Sequence, residues 1–562
     1  MKERNGKLRI LIVGGVAGGA SCAARARRLS EEIVIVMFER GPYVSFANCG
    51  LPYYVGDVIT DERDLLVATP QLFKKRFNID VRIQSDVRAI DRSTGEIEVE
   101  NLQSGELYRE KYDALVLAPG ASPLRPPLPG IDLPGIHTLR TIPDSRQMKE
   151  WIIERDVSQA VVVGGGFIGL EMAENLTKRG ISVTLIEMLP QVMPPFDPEI
   201  ALLIQDHLAA NGVSLCLGDA VSGFSLNGDG NTLTVSTGSG KSYSADMVLL
   251  AIGVRPEISL ATEAGLEIGG LGGIRVDDQM RTSDELIWAV GDAVEVRDFI
   301  TGEWTLIPLA GPANRQGRIA ADTLLGRDSR FLGVKATAVC RVFNMTTAAT
   351  GVGEKTLKRI NSTGHQWRYD KVYLHPGHHV GYYPGARPVT MKLLFSTEDG
   401  RVLGAQAAGE EGIDKRIDVL AMAIQRGSTI YDLEEAELCY APQFGAAKDP
   451  VNIAGMIAAN ALRGDAPVAH WEDIDGTEST VLDVREQGEF VIEHYDGAVN
   501  IPLGTLRDRM AELPPDKEIL AYCTVGQRSY YASRALRLNG FEARNISGGM
   551  RTYMAQRRVE SA

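Results

Sequence analysis

Two stretches of the chain carry a mainly apolar run, a glycine-rich turn and then apolar positions at helical spacing. The first run covers residues 8–13, its turn reads GGVAGGAS, and the helical pattern covers residues 20–29. The second run covers residues 160–163 and is followed by GGGFIG and another helical pattern. A short apolar run bounded by glycines predicts a buried strand, and the order strand, turn, helix, strand predicts a βαβ unit. The pattern therefore predicts two α/β units.

The second glycine turn has the complete spacing of a dinucleotide-binding turn. Gly164, Gly166 and Gly169 stand in the register G-x-G-x-x-G, and the next strand pattern ends in Glu187. In such a turn a pyrophosphate lies on backbone N–H groups at the helix N-terminus, and the carboxylate accepts from the adenosine ribose diol. Because a carboxylate repels a 2′-phosphate, we expect NADH to be favoured over NADPH.

The first glycine turn is less regular. The register G-x-G-x-x-G would use Gly14 and Gly19, but Val16 stands at the middle position. The next strand pattern ends in Glu39, which is placed to accept from a ribose hydroxyl. We expect a second nucleotide here, bound through Glu39 and the glycines Gly14, Gly15, Gly18 and Gly19. A tight turn without a nucleotide is the alternative at this point.

Length, composition and charge narrow the class of protein. The 562 residues suffice for about three or four domains. A net charge of −14 argues against a nucleic-acid-binding surface, which needs a basic excess. No apolar run reaches the length of a membrane span, and the glycine-interrupted N-terminal run predicts a strand rather than a signal peptide. We expect a cytoplasmic protein with neither nucleic acid nor membrane as partner.

The cysteines are widely spaced. Six are present with no CxxC pair, so we expect neither a disulfide framework nor a metal site. Cys22, Cys216 and Cys340 are predicted to be small buried hydrophobic residues. Cys49 differs, because the polar, tightly turned segment SFANCGLPY surrounds it at the start of a predicted helix. A helix N-terminus stabilises a thiolate, so this position predicts a lowered pKa for Cys49.

Further motifs resemble those of the FAD-dependent pyridine nucleotide–disulfide oxidoreductases. TSDELIWAVGDA ends in Gly291 and Asp292, as the second flavin motif of that family does. LVLAPGA and LLAIGVRP resemble the two crossovers between its FAD and NAD domains, and PLAGPANRQGRIAAD resembles the helix that points at its flavin. The resemblance implies that FAD binds the first glycine turn, that NADH or NADPH binds the second, and that Asp292 binds the ribityl chain.

The Cys49 segment resembles that of the single-cysteine branch, the coenzyme A-disulfide reductases and NADH-dependent persulfide reductases. This implies that Cys49 is the flavin-coupled thiol, that a substrate thiol supplies the second sulfur, and that Ser45 and Asn48 contact the substrate. NADH oxidases and peroxidases share the layout and use a cysteine sulfenate. The peroxidases place a histidine where this chain has Ala17. A Cys49 sulfenate oxidase or peroxidase, or an FAD-based redox sensor, remains an alternative.

Coenzyme A, the substrate or carrier that the resemblance implies, needs cations for its phosphates. Arg28, one of three arginines that follow the first glycine turn, aligns with a basic contact in the relatives. A lysine used by some relatives falls on Phe77 here, and the adjacent Arg76 is the candidate in its place.

The region from about residue 331 resembles the family's dimerisation domain and implies a homodimer. HHVGYYPGA and ELCYAPQFGAAKDPVN place Tyr382, Tyr383 and Tyr440 at its aromatic positions near the thiol. A tyrosine hydroxyl there could protonate a leaving thiolate, and an aromatic dimer interface is the alternative. The family often has a tyrosine where this chain has Phe444. The charges of Asp414, Lys415 and Arg416 are expected at the interface.

The last ninety residues resemble a rhodanese domain. Strand and helix patterns alternate from STVLDVREQGEF to ARNISGGM, and the loop CTVGQR runs from Cys523 to Arg528 before a helical pattern. Backbone N–H groups in such a loop hold a thiolate or persulfide, and Arg528 adds a positive charge, so both residues are catalytic candidates. Asp483 and Arg485 are expected to form a structural ion pair.

The predicted fold is α/β, with two Rossmann-like dinucleotide-binding domains (FAD and NAD), an α+β dimerisation domain and a C-terminal rhodanese-like α/β domain. The expected boundaries are 1–120 and 255–330 for the FAD domain, 121–254 for the NAD(P)H domain, 331–455 for the dimerisation domain, 456–471 for a linker and 472–562 for the rhodanese domain. The expected function is NAD(P)H-dependent reduction of CoA-disulfide, CoA-persulfide or polysulfide sulfur at Cys49, with rhodanese-type sulfur transfer at Cys523.

Overall fold

The computed structural model describes residues 7–228, 230–474 and 478–560. The chain folds into two compact units. The first contains the residues up to Met188 together with Gly212–Val334, and the second contains Leu189–Asn211 together with the residues from Lys335 onwards.

The first unit contains two parallel five-stranded sheets, each built on one of the glycine turns. Up to residue 188 its elements are β1 (Arg9–Val13), α1 (Gly18–Leu29), β2 (Val34–Glu39), α2 (Leu51–Val55), α3 (Pro70–Phe77), β3 (Asp80–Ile83), β4 (Ser85–Asp91), β5 (Glu96–Asn101), β6 (Leu107–Lys111), β7 (Ala114–Leu117), β8 (Ala121–Pro123), β9 (Ile136–His137), α4 (Ile142–Glu154), β10 (Gln159–Val163), α5 (Phe167–Lys178) and β11 (Ser182–Glu187). Helix α6 (Pro198–Ala210) follows and belongs to the second unit. The first unit continues with β12 (Ser214–Leu217), β13 (Val221–Leu226), β14 (Leu233–Thr237), β15 (Ser242–Ala245), β16 (Met247–Leu250), β17 (Val254–Pro256), α7 (Ser259–Glu263), β18 (Ile274–Arg275), β19 (Ile287–Ala289), β20 (Val294–Arg297), β21 (Trp304–Thr305) and α8 (Ala310–Leu324).

The two parallel sheets have the strand orders β19-β7-β1-β2-β3 and β12-β11-β10-β16-β9. Their central strands are apolar and buried on both faces, as parallel sheets covered by helices require. In each sheet the glycine turn leaves the carboxyl end of the central strand, which is where open α/β sheets bind ligands. Strands β8 and β17, which follow LVLA and LLAI, pair antiparallel with each other.

The second unit combines an antiparallel sheet with a parallel one. Its antiparallel part contains β22 (Ala338–Val342), β23 (Met345–Gly351), α9 (Glu354–Ser362), β24 (Tyr369–Leu374), β25 (Val389–Ser396), β26 (Val402–Gly409), α10 (Ile413–Arg426), α11 (Ile430–Glu434) and α12 (Pro450–Leu462). Its C-terminal part contains β27 (Val468–Ala469), β28 (Thr480–Asp483), α13 (Gln487–Ile492), β29 (Val499–Asn500), α14 (Leu506–Arg509), β30 (Ile519–Tyr522), α15 (Gln527–Leu538), β31 (Ala543–Ile546) and α16 (Gly549–Glu560). The strand orders are β22-β23-β26-β25-β24 and β27-β31-β30-β28-β29.

The connection between these two sheets is shorter than the linker expected over 456–471. Asp449 caps helix α12, Pro450 fits its first turn, and the helix continues to Leu462. Strand β27 already pairs with β31 at Val468 and Ala469. The irregular connection is thus confined to residues 463–467.

The C-terminal sheet domain is docked directly against strand β24. The N–H of Tyr373 donates to the hydroxyl of Ser547 at 2.8 Å, and His375 Nε2 lies 3.1 Å from the hydroxyl of Thr552. An ion pair joins Lys371 to Glu472. These contacts fix the C-terminal domain to the antiparallel sheet of the same unit.

A buried ammonium group lies at the centre of the second unit. Lys392 Nζ lies 2.9 Å from Asp197, 2.6 Å from Glu199 and 2.6 Å from Glu354, and the lysine is 1% exposed. Burial opposes the ionisation of Glu354, but Lys392 and Lys371 outweigh it and lower the carboxyl pKa. The three carboxylates that could otherwise surround a metal ion therefore surround Lys392. Two of them come from the segment of helix α6, which this lysine ties to the antiparallel sheet.

Among the described residues no helix is both long enough and apolar enough to cross a membrane.

Candidate functional site

The first glycine turn brings the chain into close contact with its neighbours. Gly14 has φ +92°, and a Cβ there would overlap the carbonyl oxygen of Ala118, while a Cβ on Gly19 would overlap that of Gly14. Glu39 at the end of β2 accepts a hydrogen bond from the N–H of Gly15 at 2.9 Å. These contacts place helix α1 directly after β1 with its N-terminus at the sheet edge, as a pyrophosphate site requires.

The second glycine turn repeats this construction and leaves room for a ligand. A Cβ on Gly169 would overlap the carbonyl oxygen of Gly164, which has φ +107°. A Cβ on Gly166 would meet no atom within 4 Å, so the backbone of this residue faces open space. Glu187 is 8% exposed and accepts from the N–H of Gly165 at 2.6 Å. The turn therefore fits a dinucleotide whose pyrophosphate approaches Gly166.

Asp292 follows β19 of the first sheet and lies near Arg140, with 3.4 Å between the guanidinium and the carboxylate. Burial raises the pKa of Asp292, and Arg140 opposes this rise. Helix α8 begins at Ala310 and packs along α1. The residues expected to bind a flavin thus surround the edge of one sheet, and their donors and acceptors fit FAD.

Cys49 lies in a single 3-10 turn, Asn48–Gly50, directly before helix α2. Ser45 has φ +48°, and its N–H donates to the carbonyl of Gly15 at 2.8 Å. This bond ties the cysteine segment to the first glycine turn. Cys49 is exposed, whereas the other cysteines of the first unit, Cys22 and Cys216, are buried.

The expectation of a lowered pKa for Cys49 is wrong for this structure. Partial desolvation raises the thiol pKa, and the carboxylates of Glu171 and Asp292 raise it further, while Arg140 lowers it. The helix that follows has only five residues, and its dipole does not outweigh two nearby carboxylates.

Glu171 is a site residue that the sequence analysis missed. It lies on helix α5, two residues after the last glycine of the second turn, with its carboxylate 3.4 Å from the hydroxyl of Tyr53. Burial raises the pKa of Glu171 to about 7. The signal available in the sequence was a carboxylate in the apolar helix FIGLEMAENL, where burial is costly unless the group has a role.

A basic surface lies at the C-terminal ends of helices α1 and α3. Arg27, buried between them, donates to five backbone carbonyl groups, among them those of Phe77, the last residue of α3, and of Asn78, which follows it. Arg28, Lys75 and Arg76 are exposed beside it. Arg25 is instead paired with Asp322. Arg28 and Arg76, the two candidate phosphate contacts, are both exposed, so an anion in solution can reach them.

Two of the three candidate tyrosines of the second unit touch each other. The hydroxyl groups of Tyr382 and Tyr440 lie 2.9 Å apart, and this hydrogen bond raises the pKa of Tyr382. The ring of Tyr383 instead packs edge-on against His379, with 5.5 Å between the centroids. All three tyrosines and Phe444 are exposed.

Arg416 is not the exposed interface charge that its sequence position suggested. It is 1% exposed and forms an ion pair with Asp449 at 2.7 Å. Its remaining N–H groups donate to the carbonyls of Gly412 and His378. Because Arg416 binds His378, it holds the loop that carries Tyr382 against helix α10.

Cys523 lies at the end of strand β30, beneath the loop that leads into helix α15. It is 1% exposed, and its sulfur accepts a hydrogen bond from the N–H of Gly526 at 3.2 Å. The carbonyl of Cys523 accepts from the N–H of Met550 at 2.8 Å, which braces the loop from below. Asp483 and Arg485 form the ion pair expected of them, with 2.6 Å between their side chains.

Arg528 is held by a residue that the sequence analysis did not single out. Glu489 of helix α13 binds its guanidinium in a bidentate ion pair with distances of 2.6 and 2.7 Å. Thr524 completes the group, because it donates to Glu489 at 2.9 Å and accepts from Arg528 at 2.9 Å. The hydrogen bond with Arg528 lowers the pKa of Glu489 to about 2.

Comparison with known families assigns three segments of the chain. The family described as pyridine nucleotide-disulphide oxidoreductase matches residues 8–317, and the dimerisation domain of the same family matches residues 337–449. A rhodanese-like domain matches residues 467–556.

Curated relatives cover about four fifths of the chain. An NADH oxidase of Methanocaldococcus jannaschii is 35% identical over 459 residues, which are 81% of this chain and 99% of that protein. A coenzyme A disulfide reductase of Staphylococcus haemolyticus is 33% identical over 451 residues, 80% of this chain and 99% of that protein.

Two solved structures match the chain along nearly its whole length. The reduced CoADR-RHD of Bacillus anthracis is 47% identical with a TM-score of 0.94, covering 98% of this chain and 99% of that one. A NAD-dependent persulfide reductase from A. fulgidus is 37% identical with a TM-score of 0.88, covering 97% of this chain and all of that one (100%).

Proposed function

The chain belongs to the pyridine nucleotide-disulphide oxidoreductase family, and from this premise we propose that it reduces CoA-disulfide, CoA-persulfide or polysulfide sulfur at Cys49 and transfers sulfane sulfur at Cys523. It is a flavin-dependent NAD(P)H oxidoreductase that carries a rhodanese domain. The observation that supports the proposal most directly is the state of the cysteines in the first unit. Cys49 is exposed beside the flavin turn, whereas Cys22 and Cys216, the other cysteines of the first unit, are buried, which supports a substrate as the source of the second sulfur.

The chemistry at Cys49 follows from this arrangement. Its thiolate attacks a disulfide R–S–S–R′, so that a Cys49–S–S–R bond forms and R′–S⁻ leaves with the electron pair of the broken bond. When bound, FAD would take a hydride from NAD(P)H and supply the two electrons that convert the mixed disulfide into the Cys49 thiolate and R–S⁻. Ser45 anchors the segment to the glycine turn, and Asn48 begins the 3-10 turn of Cys49; both are proposed substrate contacts.

Coenzyme A is the proposed thiol because the basic surface at α1 and α3 suits its phosphates. Arg28 and Arg76 are exposed on this surface, and Arg27 holds the two helix ends together. Guanidinium groups bind phosphates through two parallel hydrogen bonds, which lysine does not provide. The dimerisation domain supports a homodimer, and we propose that the Tyr382–Tyr440 pair steadies or protonates the leaving thiolate.

The proposal is tested by separating the two cysteines. Cys49→Ser should abolish NADH-driven reduction of every disulfide and persulfide while leaving sulfur transfer from a persulfide to cyanide intact. Cys523→Ser should have the opposite effect, and Cys340→Ser, a change at a buried cysteine away from the proposed catalytic residues, should change neither activity. Loss of both activities in either of the first two variants would contradict the division of labour.

An NADH oxidase is the second candidate, because the Methanocaldococcus jannaschii relative bears that name at 35% identity. An exposed Cys49 can be oxidised to a sulfenate that NADH-derived electrons reduce. Steady-state NADH oxidation with oxygen or peroxide, compared with CoA-disulfide and polysulfide, distinguishes the two. Faster turnover with oxygen than with any sulfur substrate would favour the oxidase.

A further inference from the structure

The cation of the Cys523 site is neutralised within the site itself. Arg528 gives one N–H of each terminal nitrogen to Glu489, and it gives a further one to Thr524. The Arg528 and Glu489 side chains are about equally accessible, at 33% and 37%. An anion that approaches Cys523 therefore meets a carboxylate beside the guanidinium.

The Glu489 carboxylate repels a sulfur donor more strongly when the donor carries more negative charge. With a persulfide, the Cys523 thiolate attacks the outer sulfur, the donor S–S bond breaks, and its electron pair leaves with the thiolate: R–S–S⁻ + Cys523–S⁻ gives R–S⁻ + Cys523–S–S⁻. With thiosulfate the same attack releases sulfite: S–SO₃²⁻ + Cys523–S⁻ gives SO₃²⁻ + Cys523–S–S⁻. The reacting groups carry two negative charges in the first reaction and three in the second. Charge that gathers on a leaving dianion is stabilised by a cation, and Glu489 offsets the charge of Arg528, the cation that interacts with Cys523.

We propose that Glu489 is the residue that determines donor specificity at Cys523, because it holds Arg528 in a bidentate ion pair and so selects persulfides of small thiols against the doubly charged thiosulfate. The inference rests on the proposed sulfur-transfer role of Cys523. Glu489 acts through Arg528 and does not touch the reacting sulfur. Thr524 keeps the pair in place, since its hydroxyl bonds both partners.

The test measures thiocyanate formation from cyanide by the full-length flavin-loaded protein, with thiosulfate and glutathione persulfide as the two donors. We expect Glu489→Gln to raise kcat/KM for thiosulfate by about tenfold, since it removes a charge beside the leaving group, and to change that for the persulfide by less than about threefold. Glu489→Asp, which keeps the charge, should stay close to the wild type in the ratio of the two donors. Glu512→Gln is the matched control, because it breaks another Arg–Glu pair of the same domain, with Arg509.

The dependence of the thiosulfate rate on ionic strength distinguishes an electrostatic role of Glu489 from a purely structural one. Added salt screens the repulsion between the carboxylate and thiosulfate, so the wild-type thiosulfate rate should rise with salt and that of Glu489→Gln should rise less. A donor ratio in Glu489→Gln within about twofold of the wild type, or equal loss with both donors, overturns the inference. So does a wild type that loads sulfur on Cys523 from neither donor. NADH is absent from this assay, so failure of the reduction proposed at Cys49 would show separately, as absent NADH oxidation with CoA-disulfide.

Discussion

The phenolic hydroxyl of Tyr382 lies 2.9 Å from that of Tyr440, although the two residues stand 58 positions apart in sequence and both side chains are exposed. A donor–acceptor pair of this kind can pass a proton to a leaving thiolate while the second hydroxyl stabilises the first. An aromatic interface without chemistry would need the rings but not the hydroxyls.

Removing either hydroxyl should therefore slow the reaction. Tyr382→Phe and Tyr440→Phe should each lower kcat for NADH-driven disulfide reduction by about tenfold, and the double variant should lose little more because the pair acts as one unit. Tyr431→Phe is the control, since this tyrosine contacts Arg463 through its ring. Unchanged kcat in the double variant would leave these tyrosines with a packing role only.

Glu171 should control the reactivity of Cys49 with pH. Its pKa is raised to about 7, and its charged form raises the thiol pKa. In Glu171→Gln the repulsion is absent at every pH, so the thiol should ionise at lower pH and alkylate faster above pH 7 than in the wild type. The measurement is the rate of iodoacetamide labelling of the Cys49 peptide by mass spectrometry across pH 6–9.

Below about pH 7 the wild-type Glu171 is neutral, and the two proteins should converge in labelling rate. Glu150→Gln, a change at an exposed carboxylate on helix α4, should follow the wild-type profile throughout. A profile of Glu171→Gln that coincides with the wild type above pH 7 would contradict the assigned repulsion.

Glu187 should set the choice of coenzyme. Replacing it by alanine removes the charge that would repel a 2′-phosphate, and the NADH-over-NADPH ratio of kcat/KM should fall by about tenfold or more. Glu187→Gln separates two effects, because it loses the charge but keeps an acceptor for the N–H of Gly165. A wild type that already prefers NADPH would make this interpretation of the carboxylate wrong.

Lys392 should dominate the stability of the second unit. Lys392→Met removes the cation that Asp197, Glu199 and Glu354 share, and among the described residues only Glu354 keeps other lysine partners, Lys371 and Lys358. The variant should destabilise the fold by about 3–5 kcal/mol. Lys358→Met is the matched control, since this lysine also pairs with Glu354 but is 64% exposed, and it should cost less than about 1 kcal/mol. The shift of the thermal unfolding midpoint of the full chain measures both. Equal shifts of the unfolding midpoint in Lys392→Met and Lys358→Met would contradict the view that burial makes the Lys392 ion pairs the more important ones.

Coenzyme A should accelerate NADH-dependent release of sulfide from polysulfide if it carries sulfur between Cys523 and Cys49. Arg28→Ala and Arg76→Ala should raise the coenzyme A concentration needed for half-maximal acceleration by about three- to tenfold each, because each removes one phosphate contact. Lys111→Ala, a change at an exposed cation on β6, is the control. A rate independent of coenzyme A over a wide range would favour direct reduction of polysulfide at Cys49.

The sequence predicts well those strands and helices that are determined by residues close to one another in the chain. The strands before both glycine turns and the helix after the first turn lie within two residues of the predicted limits, and a helix follows the second turn as predicted. The close approaches at Gly14, Gly19, Gly164 and Gly169 leave no alternative residue at these turns. The α/β class, the dimerisation domain and the rhodanese domain are confirmed.

The errors and omissions concern contacts between distant parts of the chain. The charged neighbours of Arg416 predict a place at the interface, but its partner Asp449 is 33 residues away in sequence. The pKa of Cys49 was judged from the adjacent helix, whereas Glu171 and Asp292 arrive from other elements. Glu489 meets Arg528 across 39 residues, and no spacing rule within one helix or strand predicts such a pair.

The docking of the rhodanese domain on strand β24 bears on how sulfur travels. If the rhodanese domain hung on a flexible linker, the length of that linker would set the space that Cys523 can reach. The rate of sulfur transfer would then depend on linker length. Here the hydrogen bond from Tyr373 to Ser547 and the contact of His375 with Thr552 hold the rhodanese domain against strand β24. Cys523 therefore keeps a fixed position within the second unit. Lengthening residues 463–467 with glycine and serine should then leave the sulfur flux unchanged. If Cys523 transfers sulfur as proposed, we expect the rate of delivery from this site to depend on the concentration and diffusion of small thiols, and not on the mobility of a protein arm.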